Sequence, residues 1–139
     1  MEKLSGKVAV VTGVASGIGK ALANALAAQD CRWAIADNNE DGLRETEREV
    51  TERGVEVLSL VLDVAQRDQV YAFADRVIER FGTAHLVINN AGVAIGRSVE
   101  NMTYDDYEWI MGINFWGMVY GTKAFLPHLM KQNEGHIVN

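Results

Sequence analysis

The chain has one cysteine and one proline in 139 residues, and its 13 basic residues are outnumbered by 19 acidic ones. A single thiol, Cys31, closes no internal disulfide. It lies among apolar residues just before an expected strand, where it reads as a buried thiol. The net charge of −6 argues against nucleic acid or an anionic membrane as partner, since either would need a basic face. No aliphatic stretch approaches the roughly 20 residues of a membrane span. The opening residues, MEKLSGK, lack the apolar run of a signal peptide. There is no Pro/Gly/Ser-rich linker, low-complexity segment or short repeat, so residues 1–139 read as one domain, with no metal site expected. Together these absences suggest a soluble protein of a reducing compartment, the cytoplasm. Hydrophobic content of 48% and charged content of 23% are those of an ordinary globular domain able to bury a core.

What is present is alternation. Residues 7–12 (KVAVVT), 32–37 (RWAIAD), 55–63 (VEVLSLVLD) and 85–90 (HLVINN) read as strands, and 136–139 (HIVN) opens a fifth. Between the first two, Ile18, Leu22 and Leu26 recur every four residues beside Ala21 and Ala25, a small-residue helix face suited to lie close on a sheet. Residues 38–53 form a charged helix with Leu43 and Val50 on one side, ended by Gly54. Val70, Phe73, Ala74, Val77, Ile78 and Phe81 give a third helical stripe, closed by Gly82. Thr103 with Asp106 three residues on has the form of a capping box and starts a helix that is expected to be kinked or broken by Pro127 and ended by Gly135. Aliphatic strands alternating with helices predict an α/β fold: a doubly wound, Rossmann-type parallel sheet with helices on both faces.

Between strand 1 and helix 1 stands TGVASGIG, residues 12–19. Gly13, Gly17 and Gly19 allow a tight turn, close approach of backbone to a ligand and close helix–strand packing. With the unpaired N–H groups and positive dipole end of the helix, the loop suits a pyrophosphate, and Ser16 and Ile18 lie within it. Glycines also mark plain turns, but the strand before, the helix after and the acid ending the next strand favour the cofactor reading. That acid is Asp37, placed to accept hydrogen bonds from ribose hydroxyls and to repel a 2′-phosphate. Its neighbours Asn38 and Asn39 are neutral, so NAD is expected rather than NADP. A helix-capping role for Asp37 is compatible with either cofactor.

The T-G-x-x-x-G-x-G spacing of that loop, with Asp63 in LDV, NNAG at residues 89–92 and Asn114 in INFWG, resembles the short-chain dehydrogenase/reductase family over the entire chain. The resemblance implies hydride transfer between a nicotinamide and an alcohol or carbonyl substrate, and a homo-oligomer packed through the long helix. It implies that Asp63 and the backbone at Val64 face the adenine ring, and that Asn90, Ala91 and Gly92 border a ribose. It also implies that Asn114 holds a water at the inner end of a proton relay. Each of these residues has a plainer reading: Asp63 as a helix cap, NNAG as a strand-ending turn, Asn114 as an amide satisfied within an apolar stripe between Ile110 and Met118.

The resemblance further implies a serine after strand 5 and a Tyr-x-x-x-Lys pair, in which the cation lowers the pKa of the phenol. Four residues past Tyr71, Tyr104, Tyr107 and Tyr120 stand Asp75, Glu108, Met111 and Ala124, so no such pair is present. The expectation is that these residues are the cofactor-binding front part of a longer protein, inactive alone. A non-catalytic NAD-binding module is the alternative.

Overall fold

The structure, a computed structural model, describes residues 4–139. Five parallel strands, β1 (Val8–Thr12), β2 (Arg32–Asp37), β3 (Val57–Val61), β4 (Leu86–Ile88) and β5 (His136–Val138), lie in the order β3-β2-β1-β4-β5. β1 is central, and all five of its residues are buried. From β1 the chain winds outward through β2 to β3, then returns across the sheet to β4 on the other side of β1. This reversal opens a crevice at the carboxyl ends of β1 and β4.

Because side chains alternate along a strand, the sheet has two apolar faces. Ala9, Val11, Trp33 and Ile35 meet helices α1 (Gly17–Ala27) and α2 (Glu40–Thr51), the latter through Leu43 and Val50. Val8, Val10, Ala34, Ala36 and Val87 meet α3 (Arg67–Phe81) and α5 (Met118–Gln132), through Phe73, Val77, Phe125 and Leu129. Phe73 and Phe125 pack edge to face, with ring centroids 6.1 Å apart. The fold is therefore the doubly wound, Rossmann-type arrangement of helices on both faces of a parallel sheet. Cys31 is buried, and its thiol donates to the Leu26 carbonyl at 3.3 Å. Among the described residues no helix is long and apolar enough to cross a membrane.

Several local expectations are corrected. The buried face of α1 is Gly19, Ala23 and Ala27, while Ile18 is exposed. Large residues made the periodic pattern, but the smallest ones sit against the sheet, because the closest approach needs the least side chain. β3 is shorter than residues 55–63, being a half-exposed edge strand. The expected long helix is three pieces: α4 (Tyr104–Met111), a π-helical segment at Gly112–Gly117, and α5. α5 runs continuously through Pro127. Pro127 and Lys123 are both exposed, so the carbonyl that the proline leaves unpaired can be met by water. Asn133, with φ 56°, ends the helix ahead of Gly135. The capping box at Thr103 and Asp106 is formed as expected.

Candidate functional site

A cleft of about 460 Å³ lies where the loop after β1 meets the ends of β2 and β4. The loop supplies Gly13, Ser16, Gly17, Ile18 and Gly19; the end of β2 supplies Asp37; the segment after β3 supplies Asp63 and Val64; the end of β4 supplies Asn90, Ala91 and Gly92. Every residue expected to bind a cofactor thus lines one cavity. Ala15, Asn38, Asn39, Leu62, Val93 and Ile113 also line it, without having been singled out as cofactor-binding. Their signal in the sequence is only adjacency to the motifs.

The loop is shaped by steric exclusion. Gly13 has φ +74°, and a Cβ there would stand 2.6 Å from Ala91 Cα. A Cβ on Gly19 would overlap the Gly13 carbonyl and the Asn90 amide. Asn90 Nδ2 donates to the carbonyls of Thr12 and Gly13, each at 3.0 Å, and the Ala91 N–H donates to Thr12 Oγ1 at 3.2 Å. The ends of β1 and β4 are thereby locked together beneath the cleft.

Above this floor α1 begins. Ser16 precedes it in extended conformation, and its hydroxyl makes no capping bond. The Lys20 N–H takes the Ser16 carbonyl at 3.2 Å, so the amides of Gly17, Ile18 and Gly19 come before the first intrahelical bond. Free N–H groups, a positive dipole end and a bare backbone form a cradle for an anion such as a diphosphate. Among the described residues, no Lys, Arg or His lines the cleft. Lys20 is turned to α2, 3.1 Å from Glu45 and 3.0 Å from Glu49, and its hydrogen bonds to Glu49 and then Glu45 raise its pKa.

Asp37 Oδ2 accepts from the Ala15 N–H and Oδ1 from the Asn39 N–H, both at 2.9 Å. The N-cap of α2 is Asn39, whose side chain accepts from the Gly42 N–H at 3.2 Å. Asp37 is therefore not that cap, and each of its oxygens keeps a lone pair for a further donor. Asp63 Oδ1 accepts from the Ala65 N–H at 2.9 Å, forming a turn ahead of α3, whose N-cap is Gln66.

For Asn114 the plainer reading is corrected. It is exposed rather than satisfied within an apolar stripe. Sitting in the π-helical segment, it accepts from the Val93 N–H and donates to the Val93 carbonyl, each at 2.8 Å. It thus grips the strand-4 loop beside the cleft without lining it.

A family profile described as short chain dehydrogenase matches residues 7–139. The chain belongs to that family. It is 48% identical to SadH of Mycobacterium tuberculosis over 139 residues, covering 100% of this chain and 50% of that protein. A short-chain dehydrogenase/reductase from Burkholderia phymatum in complex with NAD matches the fold with a TM-score of 0.97 at 39% identity, over 100% of this chain and 50% of that one. A metagenomic short-chain oxidoreductase in complex with NADP matches with a TM-score of 0.91 at 33% identity, over 96% of this chain and 61% of that one. The chain spans about half the length of the curated relatives it matches.

Proposed function

We propose that this chain forms the dinucleotide-binding part of an oxidoreductase that moves hydride between NAD(H) and an alcohol or carbonyl of a small molecule. The observation that carries the reading is Asp37, a carboxylate with acceptor sites to spare at the end of β2, beside a helix start bared by glycine. In this reading Gly13, Ser16, Gly17, Ile18 and Gly19 hold the diphosphate and Asp37 the adenosine ribose. Asp63 and Val64 border the adenine, and Asn90, Ala91 and Gly92 the second ribose. The nicotinamide, when bound, supplies the hydride donor or acceptor.

Support for NAD over NADP comes from charge: among the described residues, Asp37 and Asp63 are the ionisable groups lining the cleft, and a 2′-phosphate would meet a carboxylate with no lining cation among them to offset it. Asn114 keeps one amide hydrogen and one lone pair beyond its bonds to Val93, enough to hold a water for proton transfer. The remaining acid–base chemistry is assigned to the longer chain that the relatives have.

The test is titration of the full-length protein and its Asp37→Ala variant with NAD and NADP. Hydrogen bonds to a charged group contribute roughly 1.5–3 kcal/mol, so the preference for NAD should fall by about tenfold or more. With either cofactor the loop loses its Ala15–Asp37 bond, but only NAD also loses its ribose partner. Equal weakening of the two would remove Asp37 as the discriminating residue.

A further inference from the structure

We propose that Thr46, on α2 and outside the cleft, is a positioning residue for the phosphate loop, holding one end of a peptide plane whose other end is held by Asp37. The inference rests on the reading of the cleft as a dinucleotide site. The plane is the Val14–Ala15 peptide. Its carbonyl accepts from Thr46 Oγ1 at 2.8 Å, and its N–H donates to Asp37 Oδ2 at 2.9 Å. In a trans peptide these two groups point in opposite directions, so bonds at both ends fix the rotation of the plane. Two residues further on, the helix start presents its amides, so that rotation sets where they point.

The hydroxyl is placed for this. Thr46 and Val14 are both fully buried. Oγ1 stands closer to the Val14 oxygen than to the Gly42 carbonyl of its own helix, at 2.8 against 3.1 Å. Thr46 also sits between Leu43 and Val50 on the buried face of α2, where a hydroxyl without a partner would be costly. Gly42 lets the helix come this near: a Cβ there would stand 2.7 Å from Ala15 Cβ and 2.8 Å from the Ala15 oxygen. Ribose reading and diphosphate cradling are thus tied through one peptide.

The experiment compares Thr46→Val, Thr46→Ser and the core variant Val50→Ala in the full-length protein. Binding of ADP-ribose and amide exchange at Ala15 are measured, with thermal unfolding as control. Thr46→Val keeps the shape and removes the donor, leaving a buried carbonyl unpaired. ADP-ribose binding should weaken by about tenfold, Ala15 exchange should quicken, and Thr46→Ser should restore both. Val50→Ala should lower the melting temperature while leaving ADP-ribose affinity and Ala15 exchange as in the wild type. Wild-type exchange at Ala15 in Thr46→Val, failure of Thr46→Ser to restore it, or equal weakening of binding in Val50→Ala would overturn the proposal. Should the unmodified protein not bind ADP-ribose, the dinucleotide reading falls, and the exchange measurement still decides whether Thr46 holds the loop.

Discussion

Asn90 shows how much one side chain can fix. Both hydrogen bonds of its amide nitrogen go to consecutive carbonyls, Thr12 and Gly13, across the β1–β4 seam. Asn90→Ala would leave those part-buried carbonyls without their donor, at a cost of about 1–3 kcal/mol. Asn90→Asp would place a carboxylate against the same two oxygens, so at neutral pH it should destabilise more than alanine. Denaturant unfolding of the two variants checks the order, and an aspartate variant as stable as wild type would refute the donor role. The sequence points to Asn90 through its motif, whereas Thr46 belongs to no motif. Its hint was available: Thr46 falls three residues after Leu43 and four before Val50, a polar residue on an apolar stripe. A buried hydroxyl requires a partner, but only the fold shows that the partner is the loop after β1.

Among the elements, β2 and the Thr103 cap were legible from their own residues, whereas the bounds of β3 and β4 and the end of α5 were not. β2 has the expected bounds, Arg32–Asp37, and the box at Thr103 forms because both its partners lie within one turn. The π-helical segment has no such local cause. Its residues, GINFWG, carry no mark of an extra residue per turn; at Gly117 the segment lies against Val64, where a Cβ would stand 2.8 Å from Val64 Cγ2 and 3.0 Å from its Cβ. The same segment holds Asn114 on Val93. Gly117→Ala would gain roughly 1 kcal/mol in helix propensity. The stiff valine cannot yield, however, and overpacking typically costs about 1–3 kcal/mol. The clash should win. The variant should be destabilised, and Val64→Ala in the same chain should recover part of the loss, a non-additivity read from a double-mutant cycle. Strict additivity would mean that contact with Val64 does not constrain this segment.

Across the whole molecule, the two ends of the sheet have different chemistry. The carboxyl ends of the strands hold the cleft. The amino ends hold a cluster of titratable groups: Lys7 before β1, His85 before β4 and Glu134 before β5. Lys7 and Glu134 are 2.7 Å apart, and the Val8 N–H donates to His85 Nδ1 at 3.1 Å. That bond requires Nδ1 unprotonated. Burial, with the charges of Lys7 and Arg32, lowers the His85 pKa from 6.5 against an opposing pull from Glu134. The unfolded chain therefore takes up a proton at His85 at higher pH than the folded one. Stability from this group is fully present above about 6.5 and declines as pH falls through the lower folded value. Glu134, held below 4.5 chiefly by its hydrogen bond to Lys7, adds a second loss of the same sign, beginning only below about 4.5. His85→Asn keeps an acceptor near Nδ1 but has no proton to gain. Its unfolding free energy should therefore fall less steeply than that of wild type between about pH 6.5 and the onset of the Glu134 loss, with the curves running parallel above that range. Identical slopes in wild type and His85→Asn across the window would show that the Val8–His85 bond does not couple the β1–β4 seam to acid.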